Sequence, residues 1–130
     1  MRPIAKLFLT LGAVNAAASV ALAAVFAHLS SLQPATLAML ANALTQHQFH
    51  SIGLLLVGLV MMRVAPSRPL AASGWLFLLG IVLFSCNIYA RGLAGFDALR
   101  ALAPWGGTAF ILGWLCFAAG VMRLPGKPRE

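Results

Sequence analysis

LTQHQFHSIGLLLVGLVMMRVA, residues 44–65, is the stretch on which the fold turns. Its second half is an apolar run, and its head carries two imidazoles, His47 and His50, in a chain with only two acidic residues. A helix crosses the hydrocarbon of a bilayer with about 20 apolar residues, within a range of roughly 17 to 25. The apolar part (49–65) fits that range if the helix begins a few residues earlier, near 47.

Three other segments have the same character: 7–29, 70–90 and 105–122. The whole chain of 130 residues is 62% hydrophobic and 8% charged, with a mean hydropathy of +0.94. A water-soluble domain keeps about a quarter of its residues charged because its surface faces water. This chain lacks the polar residues to coat a globule of its own size, so a bilayer is its expected solvent. Nothing alternates with period two, which argues against a closed β-barrel. The expected fold is all-α and integral to the membrane, one domain over 1–130. Four transmembrane helices, about 7–29, 47–65, 70–90 and 105–122, form an up-down bundle joined by short loops. Between the first two, residues 30–48 place Leu37, Leu40, Leu44 and His47 at helical spacing after Pro34. They read as a short interfacial helix or as an outward extension of the second span.

The net charge of +7 does not mark a nucleic-acid binder. The basic residues sit in short clusters between apolar runs, with no interleaved aromatic residues. Seven of them (Arg2, Lys6, Arg63, Arg68, Arg123, Lys127 and Arg129) fall on one side of the four spans, against Arg91 and Arg100 on the other. The positive-inside rule then puts both termini in the cytoplasm of a bacterial inner membrane. Residues 1–23 can also be read as a secretory leader, with a basic start and Ala-x-Ala sites. An intact first span is favoured because the charge alternation then holds for all four.

Helices in lipid associate through close packing and a few polar contacts. Gly106, Gly113 and Gly120 recur every seven residues along span 4, while Gly12, Ala16, Ser19, Ala23 and Ala27 crowd one side of span 1. These two helices are expected to make the tight approaches. Cys86 and Cys116 both lie within apolar runs, giving no disulfide framework and a buried, unreactive Cys86 thiol.

AHL (27–29), QFH (48–50), GWLFLLGIVLFSCNIY (74–89), PWGG (104–107) and GW (113–114) follow one another in an order and spacing that resemble a known family. It is the family of small four-helix inner-membrane proteins catalogued as domain of unknown function 423, which is similar to eukaryotic transmembrane protein 256. The matching positions are His28, Phe49-His50, Phe84 to Tyr89 and Pro104 to Gly107. Cys86-Asn87 replaces the family's Gly-Ser, and AAVFAH lacks its glycines. The resemblance implies a fold and no particular chemistry.

On the expected topology, His28, His47, His50, Ser85, Asn87 and Tyr89 gather in the outer half of the bundle. His47 and His50 are three apart and share a helix face, with His50 expected near His28 and Asn87. Such groups can satisfy one another as structural contacts. They could instead bind a lipid-like small molecule or a proton, or ligate haem. No carboxylate pair, phosphate loop or activated nucleophile is present, so no catalytic residue, metal site or cofactor is expected. The expected role is a structural or accessory membrane component, not an enzyme. Its partners are the lipid bilayer and either further copies of itself or a larger membrane complex, with no nucleic acid.

Overall fold

A computed structural model describes residues 2–126 of the chain. The described residues are helical throughout, joined by short turns. Helix α1 covers Pro3–Phe26, α2 covers Pro34–Arg63 and α3 covers Arg68–Gly80. A π-helical segment, Ile81–Cys86, carries α3 directly into α4, Asn87–Ala94. A 3-10 turn at Arg100–Leu102 leads into α5, Ala103–Met122. Proline stands in the first turn of α1, α2, α3 and α5, where its missing N–H costs no helical bond. The third segment ends on Gly95, whose φ of 65° and the bond from Phe96 N to the Ala90 carbonyl close the helix.

Three segments are long and apolar enough to cross a membrane: Pro3–Phe26, Arg68–Ala94 and Arg100–Met122. In α2 the apolar run is diluted by Gln46, His47, Gln48 and His50 at its head. No separate helix lies between α1 and α2; residues from Pro34 onward are the first part of α2 itself. The sequence explains the continuity, because no proline or glycine interrupts 35–52.

Packing runs in two antiparallel pairs, α1 on α2 and α3 on α5. The glycine stripe of α5 makes the second pair. Gly106 faces Phe84, Gly113 faces Phe77 and Gly120 faces Leu70. The partner number falls by seven each time the glycine number rises by seven: Gly113 and Gly120 receive the Phe77 and Leu70 side chains, and Gly106 lets the backbone at Phe84 approach. A similar exchange joins the other pair, with Gly12 against Leu55 and Gly58 against Leu9. Helix α1 thus comes close to α2 at Gly12, and α5 comes close to α3 along its glycines. Sequence reading missed the glycines on α2 and α3, where Gly53 faces Phe77 and Trp114 and Gly74 faces the Phe8 ring. The core they enclose is Phe8, Leu54, Val57, Leu70, Phe77 and Phe110.

A Cβ on Gly106 would lie 2.5 Å from the Phe84 backbone nitrogen, which cannot swing aside as a side chain can. One on Gly107 would meet nothing within 4 Å. Gly106→Ala is therefore expected to lose about 1–3 kcal/mol of stability in detergent, while Gly107→Ala loses none. Equal melting temperatures for the two variants would contradict this packing.

Candidate functional site

The polar residues of the second, third and first helical segments meet around the head of α2. His47 and His50 are both buried. They do not share one pocket, because three residues of helix turn their rings toward different neighbours. His47 points to α1 and α4, with Nε2 at 3.0 Å from Asn15 Oδ1 and Nδ1 at 3.1 Å from the Tyr89 hydroxyl. His50 points to α5, where Trp114 Nε1 donates to its Nε2 at 3.1 Å. Its ring stacks on Phe110 at 3.6 Å between centroids and 9° between planes.

These contacts fix where the protons sit. An indole N–H can only donate, so His50 Nε2 accepts, and its Nδ1–H donates to the Gln46 carbonyl at 2.7 Å. Asn15 Nδ2 donates to the Leu11 carbonyl at 2.8 Å, which leaves Oδ1 facing His47 as an acceptor. His47 Nε2 must then carry a proton, and because burial among apolar helices disfavours an imidazolium, the ring is neutral and its bare Nδ1 accepts from Tyr89 O–H. Two histidines one turn apart thus hold opposite neutral tautomers. All four ring nitrogens are engaged by the protein's own groups.

The remaining members of the expected cluster divide. Ser85 is buried in the π-helical segment and donates to the Ala43 carbonyl of α2 at 2.9 Å. Asn87 is buried and donates to the Leu99 carbonyl at 2.6 Å, holding the loop before α5. His28 does not join them. It lies exposed in the turn after α1, because the helix ends at Phe26 and the chain turns outward. Cys86 also departs from expectation. It is exposed although both its neighbours are buried, since an apolar run fixes depth and not the direction around the helix axis. Both cysteines are free. Asn15 stands out in the sequence as the one strongly polar side chain deep in a span, but the expected cluster includes neither it nor Trp114, the two residues that bond to His47 and His50. Ser73 is buried with no partner for its hydroxyl among the described residues.

Beside His50 a crevice of about 350 Å³ opens between α2 and α5, lined by Gln46, Phe49, Phe84, Phe110, Ile111 and Trp114. Among the described residues no three His, Cys, Asp or Glu side chains converge as a metal site would require. The lone pair that a haem iron or metal would take from His50 Nε2 is spent on Trp114.

Apolar helices closed over a hydrogen-bonded polar centre define a small helical membrane protein. The chain belongs to the family described as "Protein of unknown function (DUF423)", whose model matches residues 21–107. It is 31% identical over 120 residues to the UPF0382 membrane protein YwdK of Bacillus subtilis, covering 91% of this chain and 98% of that one. Against a UPF0382 membrane protein of Staphylococcus epidermidis it is 34% identical, covering 93% and 99%. Against one from Haemophilus influenzae it is 36% identical, covering 87% and 91%. No solved structure matches.

Tyr89→Phe removes only the hydroxyl that serves His47, leaving a buried acceptor bare. It is expected to cost about 1–2 kcal/mol in detergent unfolding. His47→Phe with Tyr89→Phe removes both partners, so the pair should lose less than the sum of the single losses by about 0.6 kcal/mol. Asp97→Asn, which breaks the exposed Arg91–Asp97 ion pair, should change stability by under about 0.5 kcal/mol. Strict additivity at His47 and Tyr89 would contradict the network.

Proposed function

We propose that this chain is a four-span protein of the bacterial inner membrane with both ends in the cytoplasm. It serves as a structural or accessory component, not as an enzyme. The observation carrying the four-span reading is the sidedness of α2. His47, His50 and Ser51 are turned inward and hydrogen-bonded, while the exposed face carries Phe49, Ile52, Leu56, Leu59 and Met62. Average hydropathy ranks such a helix low, yet what it offers lipid is apolar. From Thr45 to Arg63 it rises about 27 Å, close to the roughly 30 Å of a hydrocarbon core.

The orientation is supported by charge. Among the described residues Arg2, Lys6, Arg63, Arg68 and Arg123 lie at the end where α1 begins and α5 ends. At the other end are Arg91, paired with Asp97 at 2.9 Å, and Arg100. Lys127 and Arg129 lie outside the described residues. The structural role is supported by the histidines, whose bonding capacity is used in joining α2 to α1, α4 and α5. A second reading, binding of a lipid-like small molecule, is favoured by the aromatic crevice beside His50. Its ligand would stack on Phe49 and Phe110 and take its polar contact from Gln46.

Reporter fusions at both termini, at the 64–67 turn and at the 95–99 loop are expected to place the first three in the cytoplasm and the last outside. Termini on opposite faces would end the four-span reading. After gentle extraction, a homo-oligomer or a stoichiometric protein partner is expected for the accessory role. A monodisperse monomer retaining a non-phospholipid small molecule, lost on Gly107→Trp, would contradict that role and favour the crevice.

A further inference from the structure

Arg68 opens α3 and Arg123 follows the last turn of α5, at the end of the molecule where the basic residues collect. Both are exposed, and among the described residues neither has an ion-pair partner. Asp97 is engaged at the opposite end, and Glu130 lies outside the described residues. The two arginines line the mouth of a groove of about 430 Å³ on the outer surface of the α3–α5 pair. Its walls are otherwise apolar: Pro69, Ala72, Leu112, Leu115, Cys116 and Ala119. On the other side of the same arginines a notch of about 290 Å³ runs along the 65–69 turn toward Leu124.

We propose that this groove is a binding site for an anionic phospholipid, with its phosphate held by Arg68 and Arg123 and one acyl chain lying along Ala72, Leu112, Leu115 and Ala119. Guanidinium groups match phosphate oxygens with paired hydrogen bonds, and basic residues at the headgroup level attract anionic lipids. Small side chains at Ala72 and Ala119 leave the groove room for a chain. A soluble phosphate ester would use the arginines and leave the apolar walls unoccupied, whereas an anionic lipid matches both. The site requires membrane residence, and neither the number nor the direction of crossings enters it.

The test uses the purified full-length chain, delipidated in detergent and titrated with phosphatidylglycerol and with phosphatidylethanolamine of the same acyl chains, read by native mass spectrometry. Phosphatidylglycerol is expected to bind more tightly. Arg68→Gln with Arg123→Gln should weaken it about twenty-five-fold, about fivefold for each charge. Lys6→Gln with Arg63→Gln removes the same charge from the same end outside the groove, and should weaken it less than about threefold by screened attraction alone. Ala72→Phe fills the groove without altering charge and should also weaken binding. Equal affinity for the two lipids, or equal loss from both double variants, would overturn the site. So would undiminished binding to Ala72→Phe, or full competition by glycerol 3-phosphate, which would reduce it to a phosphate contact. Elution profile and helical circular dichroism confirm folding of each variant, and Ala72→Phe tests the site independently of the arginines.

Discussion

A buried polar side chain in a bilayer has no water to turn to, so it must find its partner within the protein or remain unsatisfied. Three helical segments of this molecule meet under that constraint at His47, between Asn15 of α1 and Tyr89 of α4. The bonds are individually modest, about 0.6 kcal/mol each in comparable membrane proteins, but their directions are specific. An imidazole with a proton on Nε2 fits between an amide oxygen and a phenol hydroxyl in only one sense. Hydrophobic packing cannot supply that direction in lipid, since one apolar face serves nearly as well as another.

Glycine notches set distance and the hydrogen bonds set rotation. The heptad register that sets Gly113 and Gly120 against the Phe77 and Leu70 side chains, and Gly106 against the backbone at Phe84, draws α3 and the π-helical segment onto α5 along its length. Gly12 and Gly58 do the same for α1 and α2. The two pairs are then joined through α2: Ser85 reaches the Ala43 carbonyl, and His50 takes the Trp114 indole while lying flat on Phe110. The π-helical turn at Ile81–Cys86 is where these demands coincide. It presents Phe84 to Gly106 on one side and Ser85 to α2 on the other.

Much of this could be read from residue order. The apolar runs, the prolines that start four helices and the glycine stripe of α5 are statements about depth and period, which a sequence carries directly. The helical spacing of Leu37, Leu40 and Leu44 was visible too, though only the unbroken backbone showed that they belong to α2. Rotation about a helix axis was less legible. Depth alone puts His28 and Cys86 in the interior, yet both are exposed: the chain turns outward after Phe26, and Cys86 faces away from the core around the helix axis. The pairing of α1 with α2 and of α3 with α5 depends on which surfaces match, and composition is silent on that. Asn15 gave a signal at its true value, a lone amide deep in an apolar span, but its partner could not be named without geometry.

Nitrogen-15 NMR of the imidazoles in the intact protein in lipid tests the central claim most directly. His47 is expected as the neutral tautomer protonated on Nε2 and His50 as the one protonated on Nδ1, both resisting exchange with water, while His28 exchanges freely. If His47 and His50 share one tautomer, or average between the two as His28 does, then the network that orients the helices does not exist.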